Sequence, residues 1–329
     1  MTEPIRGDGG GMEIAEIEVR PAVAADREAV LAFGGEEREV GAVTAKRWDA
    51  WLADEDGALL VAVLDGRPVG VVDVRVMSAD TGWLEGLRVD PAYRGRGVGR
   101  TLLSRALAAA DARGVAIVRQ FVAPDDAICL KLLRRFGFAH IAEVERYEGP
   151  ALVEEETDSG IEVEAEQVED QADELADQAN EPGGRRLTLA GEEDLGRIQE
   201  WLEHSNLAPF NDGFEFLSDG ARKLVEPALR KYLRAGQIWL LEEWETIQAL
   251  AVALEGEGAS AGTLEVRYID GSSEGISRLA LVLREVAAER ELASVALWLP
   301  HLLILRDAMD GAGYTLASDG PLWIFTRVL

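Results

Sequence analysis

The chain has 329 residues, 47% of them hydrophobic, which predicts two domains that can each bury a core. Its formal net charge of −28 argues against a nucleic-acid partner, whose phosphates would be repelled. The single cysteine, Cys129, excludes an intrachain disulfide, and no apolar run reaches the roughly 18 residues of a membrane span. We therefore expect a cytoplasmic protein with no membrane partner.

Acidic residues are concentrated in one segment. Between Pro150 and Gly184 there are thirteen acidic residues and no basic one. We interpret residues 158–184 as a solvated acidic linker between a domain at 12–157 and a second domain at 185–329. Only 4 of the 33 basic residues are lysines, a pattern that either adaptation to concentrated salt or arginine-favouring codon usage would produce.

The first domain is predicted to alternate strands and helices. Asp65-Gly66 between two apolar runs is a strong hairpin signal. The predicted elements, in chain order, are strand Glu16–Arg20, helix Ala25–Phe33, a helix carrying Trp48 and Trp51, strands Leu59–Leu64, Pro68–Val76 and Gly82–Asp90, helix Leu102–Ala112, strand Val115–Val122, helix Asp126–Phe136 and strands His140–Glu148 and Leu152–Glu155.

The stretch Leu84–Thr101 joins a strand, a basic glycine-rich turn and a helix. Glycines allow successive backbone N–H groups to converge, and the new helix adds the positive end of its dipole. The spacing Gly95-x-Gly97-x-Gly99 departs from the dinucleotide-binding G-x-G-x-x-G pattern, and no P-loop lysine follows. The stretch therefore predicts a pyrophosphate site, the alternative being an ordinary strand-to-helix turn.

This stretch resembles the acyl-CoA-binding signature of the GNAT superfamily of N-acetyltransferases, Gln/Arg-x-x-Gly-x-Gly/Ala, which is met by Arg94, Gly97 and Gly99. The resemblance implies an α+β fold, with a mixed central sheet flanked by helices, and acetyl-CoA as co-substrate. It also implies that the strand before the turn pairs with the pantetheine arm. The cofactor-binding residues so implied are Leu87, Arg88, Val89, Arg94, Gly95, Arg96, Gly97, Val98, Gly99, Arg100, Thr101 and Asp126.

The second domain repeats this order of elements. Gln237–Glu242 and Ile247–Leu254 parallel the hairpin, and Ser277–Glu291 parallels the helix after the glycine-rich turn. The corresponding turn, 270–275, has no arginine and places Glu274 where phosphate would lie, which opposes binding. We expect a degenerate GNAT-like domain, in tandem with the first, that does not hold acyl-CoA and that covers apolar surface, shapes the substrate cleft or pairs two chains.

Two carboxylates are candidates to bind or deprotonate the acceptor amine. Glu85 is the first, because it precedes Val89 by four residues on the strand implied to touch pantetheine; the alternative is a solvated strand carboxylate. Strand parity places Glu85 on one face with Leu87 and Val89 unless a bulge intervenes. Asp73 is the second, and it faces either the cleft or solvent.

The general acid is where the chain departs from the superfamily. The tyrosine that many members carry five residues before a Gly-Phe is Leu133 here, so Tyr147, Tyr93 or water must protonate the thiolate. Cys129 fits a small buried residue better than an acyl-cysteine nucleophile. His140, His204 and His301 lack ligand spacing, so we expect no metal site.

The leading hypothesis is an acetyl-CoA-dependent N-acetyltransferase that modifies a primary amine of a small molecule or amino acid by direct attack in a ternary complex. A non-catalytic acyl-CoA sensor or scaffold is the alternative from a different class, because Leu133 replaces the usual acid. A protein Nα-acetyltransferase is the third reading. The sequence leaves a homodimer open.

Overall fold

The computed structural model describes residues 17–33, 40–152, 185–217, 220–317 and 320–329. The predicted linker, 158–184, lies outside these residues. The chain divides into two compact units, one of residues 1–118 with Leu329 and one of residues 119–328. None of the helices in the described ranges is both long and apolar enough to cross a membrane.

The first unit is an antiparallel sheet in the order β1-β2-β3-β4, with helices on its faces. Its strands are β1 (Glu18–Pro21), β2 (Ala58–Leu64), β3 (Arg67–Val76) and β4 (Thr81–Val89), and its helices are α1 (Arg27–Phe33), α2 (Val40–Ala53) and α3 (Val98–Asp111). The predicted turn is confirmed, because Asp65 and Gly66 have φ of 51° and 77°, the left-handed pair of a tight hairpin.

Two tryptophans of α2 form the core on one face of this sheet. Trp48 and Trp51 are buried, and they pack in one cluster with Val30 of α1 and Val61 and Val71 of the sheet. Burial of a large aromatic ring against β-branched strand residues provides much of the apolar area that holds α2 in place. The helix therefore presents a fixed face to β3 and β4.

The second unit begins within β5 (Ile117–Val122), and its sheet order is β5-β15-β6-β13-β12-β11-β10-β7. A short hairpin, β8-β9, stands apart from this sheet. The remaining elements are α4 (Ala127–Arg135), β6 (Ala139–Pro150), β7 (Arg185–Leu189), α5 (Leu195–Leu202), α6 (Ala208–Asn211), β8 (Phe214–Leu217), β9 (Gly220–Lys223), α7 (Glu226–Arg234), β10 (Ile238–Glu243), β11 (Thr246–Glu255), β12 (Thr263–Gly271), α8 (Ser273–Glu289), β13 (Ser294–Pro300), α9 (Leu303–Gly311), β14 (Thr315–Leu316) and β15 (Leu322–Val328).

Strand β6, from the first predicted domain, pairs with strands of the second predicted domain. Its first half pairs with β15, and its second half pairs with β13 and β14. Leu152 is not in a strand, and 153–155 lie outside the described residues; β15 occupies the place beside β6 that the expected last strand of the first domain would take. Elements of the predicted domains 12–157 and 185–329 therefore share one sheet, and the compact units do not divide at the linker.

Candidate active site

The glycine-rich turn leads directly into α3 in the first unit. Gly95 and Gly97 have φ of +77° and +91°, which favour glycine, and Gly97 is the N-cap of α3 with no side-chain cap. A Cβ built on Gly95 would meet nothing within 4 Å, so the turn borders open space on that side. The arrangement fits a pyrophosphate, which the amides of an uncapped helix start would bind.

Arginines surround this turn and are exposed. Arg94 donates through Nε to the carbonyl of Val89 at 3.2 Å, which ties the turn to the end of β4. The Arg96 guanidinium lies 5.2 Å from the centre of the Tyr93 ring. Arg100 is exposed on the first turn of α3. These cations add charge-assisted donors beside the helix start.

The corresponding turn of the second unit is closed by its own side chains. Ser272 accepts a hydrogen bond from the backbone N–H of Gly275 at 3.0 Å, a conventional N-cap. Glu274 pairs with Arg278 at 2.9 Å. A capped helix start beside a carboxylate offers little to a phosphate, which supports the expectation that only the first turn holds acyl-CoA.

Glu85 of β4 is held by two residues of α2. The Arg47 guanidinium lies 2.5 Å from one carboxylate oxygen, and the Trp51 indole N–H donates to the other at 2.6 Å. Arg75 of β3 approaches to 3.7 Å. The Glu85 side chain is 15% exposed, so the solvated-carboxylate alternative does not describe it. Sequence reasoning did not assign Arg47 or Trp51 to the site, although their spacing of four places both on one helix face.

A β-bulge at Gly86 changes the facing of β4. The register pairs Val71 with Arg88 but Asp73 with Glu85, so β4 carries one extra residue between those pairs. Gly86 has φ of +65°, and a Cβ there would lie 2.8 Å from the Trp51 ring. Glu85 therefore shares its face with Arg88, and the expected alignment with Leu87 and Val89 is wrong because the bulge interrupts the alternation.

Asp73 lies directly across from Glu85 in the pairing of β3 with β4. Its side chain is fully buried, so of the two predicted environments solvent is excluded. Neither carboxyl oxygen has a hydrogen-bond partner among the described residues. Burial, and next the charge of Glu85, raise the pKa of Asp73 to about 8.

The Asp73 carboxyl predicts that stability falls as pH rises. With a folded pKa of about 8 and an unfolded value of about 3.9, the folded chain retains a proton in this interval that the unfolded chain has lost. The free energy of unfolding therefore decreases from about pH 4 to about pH 8. We expect Asp73→Asn to be more stable than the parent at pH 9 by more than about 2 kcal/mol, with a smaller difference at pH 5. Urea unfolding at both pH values measures this, and an equal difference at both would contradict it.

Three predicted residues lie in the second unit. Asp126 caps α4 as expected, accepting from the backbone N–H of Cys129 at 2.9 Å. The Cys129 thiol has its pKa raised to about 12, mainly by burial, which leaves it unreactive at neutral pH. Tyr147 is buried in the apolar core and donates to Glu145 at 2.8 Å. Burial, and next the hydrogen bond to Glu145, raise the pKa of Tyr147, which makes its hydroxyl a poor proton donor to a departing thiolate.

The Acetyltransferase (GNAT) family profile matches residues 25–138, which include Glu85, Asp73 and the whole glycine-rich turn. Residues 25–138 are a GNAT-family acetyltransferase domain. This GNAT domain contains every element from α1 to α4, and it leaves out β1 and β6. The resemblance to the GNAT superfamily, inferred from the glycine-rich turn, is confirmed.

Curated relatives match about a quarter to a third of the chain. It is 36% identical over 97 residues to the mycothiol acetyltransferase of Beutenbergia cavernae, covering 30% of each protein. It is 36% identical over 78 residues to the L-2,4-diaminobutyric acid acetyltransferase of Nocardia farcinica, covering 23% of this chain and 40% of the relative. The chain spans 30% to 46% of the length of the curated relatives it matches.

The likeness to one solved structure covers more of the chain than the GNAT domain. A GCN5-related N-acetyltransferase from Sphaerobacter thermophilus superimposes with a TM-score of 0.58 over 95% of each chain, at 15% identity. This likeness concerns the fold alone, and it confirms the expected α+β architecture of a mixed sheet flanked by helices.

Proposed function

We propose that the chain transfers the acetyl group of acetyl-CoA to a primary amine of a small molecule or amino acid. The observation that carries this proposal is the grouping of Asp73, Arg47 and Arg75 around Glu85 of β4, the strand that leads into the glycine-rich turn. The turn would hold the diphosphate of coenzyme A, and the carboxylates would receive the amine's proton. A relative named for L-2,4-diaminobutyric acid supports an acceptor of amino-acid size.

In the proposed mechanism the amine attacks the thioester carbonyl within a ternary complex. The acceptor's ammonium loses one proton, and the neutral nitrogen forms the C–N bond. The C–S bond then breaks, the nitrogen loses a second proton to solvent, and the departing thiolate takes up a proton to leave as coenzyme A. A backbone N–H of β4 would polarise the carbonyl as the tetrahedral oxyanion forms. With Leu133 at the usual tyrosine position, water or Tyr93 would protonate the departing thiolate.

Release of free thiol from acetyl-CoA, measured against a panel of amines, tests this proposal. Small amines and amino acids should be acetylated faster than peptides; the reverse result would favour a protein Nα-acetyltransferase. Tight binding of coenzyme A without turnover of any amine would favour an acyl-CoA sensor, for which Leu133 is the motivating residue.

Calorimetric stoichiometry tests the assignment of the two turns. We expect one coenzyme A per chain, because the second turn is capped by Ser272 and carries Glu274. We further expect Glu274→Gln to leave the affinity for coenzyme A unchanged within about twofold, since this carboxylate lies outside the proposed site. Two molecules bound per chain would contradict the assignment of 185–329 as a degenerate GNAT-like domain.

A further inference from the structure

The Asp73 carboxyl is a buried polar group that its surroundings do not satisfy. It is 0% exposed, and both oxygens lack a hydrogen-bond partner within the described part of the chain. A buried carboxylate without partners is costly, so such a group either holds a proton or serves a reaction. Four charged groups act on its pKa: Glu85 of β4, Arg75 of β3, Asp54 directly after α2, and Arg47 of α2.

Glu85 and Asp73 differ in how they can hold a proton. Both oxygens of Glu85 accept from cationic or N–H donors of α2, which stabilise its ionised form. Asp73 has no such donors and lies directly opposite, where cross-strand Cβ atoms are about 5 Å apart. A proton that reaches Glu85 is therefore held more favourably by the Asp73 carboxylate on the neighbouring strand.

We propose that Asp73 is a positioning residue that stores the acceptor's proton behind Glu85. The N–H bond of the ammonium breaks and its proton passes to Glu85. A proton then passes from Glu85 to the ionised Asp73, where an O–H bond forms, and Glu85 returns to its carboxylate with Arg47 and Trp51. After product leaves, Asp73 releases the proton to water. This inference rests on the proposed acetyl transfer.

Burial supports this role, because it places the pKa of Asp73 at about 8, between that of an ordinary carboxyl and that of an amine. The form that can receive a proton is the ionised one. Turnover through this route should therefore rise with pH up to about 8 and level off above it.

The experiment compares the full chain with Asp73→Asn and Asp73→Ala, both of which remove the carboxyl. In the parent, kcat should rise about tenfold per pH unit below pH 8. In both variants we expect kcat to fall about 10- to 100-fold and this limb of the profile to disappear, with KM for acetyl-CoA unchanged. Variants that keep the parental kcat and profile would overturn the inference.

A second measurement does not depend on finding the acceptor. Infrared difference spectra between pH 6 and pH 9 should show a protonated carboxyl band that is lost at high pH in the parent and absent in Asp73→Asn. Absence of that band in the parent would overturn proton storage at Asp73. A parent with the band but no acetylation of any amine would instead overturn the proposed function, and with it the relay.

Discussion

Replacing Gly97 with valine is expected to abolish coenzyme A binding without unfolding the chain. Gly97 has φ of +91° and starts α3, so a β-branched residue would force this backbone out of the left-handed region and reorient the amides of the turn. We expect the affinity for coenzyme A to fall at least about 100-fold, equivalent to about 2.8 kcal/mol. Isothermal titration calorimetry measures the effect.

Gly114 provides a matched control for this substitution. It follows the other end of α3 and has φ of +79°, and a Cβ there would meet nothing within 4 Å, while one on Gly97 would make only an ordinary contact with Arg100 at 3.8 Å. Gly97→Val and Gly114→Val should therefore suffer a similar loss of stability, about 1–3 kcal/mol. Only Gly97→Val should lose coenzyme A. Equal affinities in the two variants would remove the turn from the proposed site.

Glu85→Gln is expected to cause the largest loss of turnover. The amide keeps the volume of the side chain but cannot take the amine's proton, and it leaves Arg47 without its carboxylate at 2.5 Å. We expect kcat to fall about 100- to 10,000-fold, the range for a lost general base, with KM for acetyl-CoA little changed. Steady-state thiol release with a saturating amine measures it.

Two observations separate chemistry from structure in this variant. Glu28→Gln, at an exposed position of α1, should retain the parental kcat. Breaking the ion pair should also lower the stability of Glu85→Gln by a few kcal/mol, so the folded fraction must be verified by urea unfolding before kcat is compared. A folded Glu85→Gln with parental kcat would contradict a proton-accepting role.

Local features of the molecule could be predicted from local sequence. The Asp65-Gly66 turn, the Asp126 cap and the glycine-rich turn each depend on residues within a few positions of one another, and the structure contains all of them. Their physical determinants are backbone freedom, side-chain capping and the helix dipole, which act over one or two turns of chain. The GNAT assignment rested on this kind of feature.

The surroundings of the two carboxylates could not be predicted in the same way. Glu85 meets Arg47 across 38 positions of sequence, and a single inserted residue at Gly86 reverses the alternation on which the facing of β4 depends. From the sequence, the Asp73 side chain could be assigned only to the cleft or to solvent, because the alternation of apolar residues in β3 fits both environments. The packing of α2 through Trp48 and Trp51 decides between them.

By itself, the sequence determined the type of domain, and it predicted a phosphate-binding turn in the first half and none in the second. Only the tertiary structure decided that β15 inserts beside β6, that Glu85 is held by α2 and that Asp73 is buried with no hydrogen-bond partner among the residues described. The physical reason is the distance along the sequence over which the interactions act. Turns and caps are set by neighbouring residues, whereas strand order and the burial of a charge depend on contacts between distant segments that form only when the chain packs.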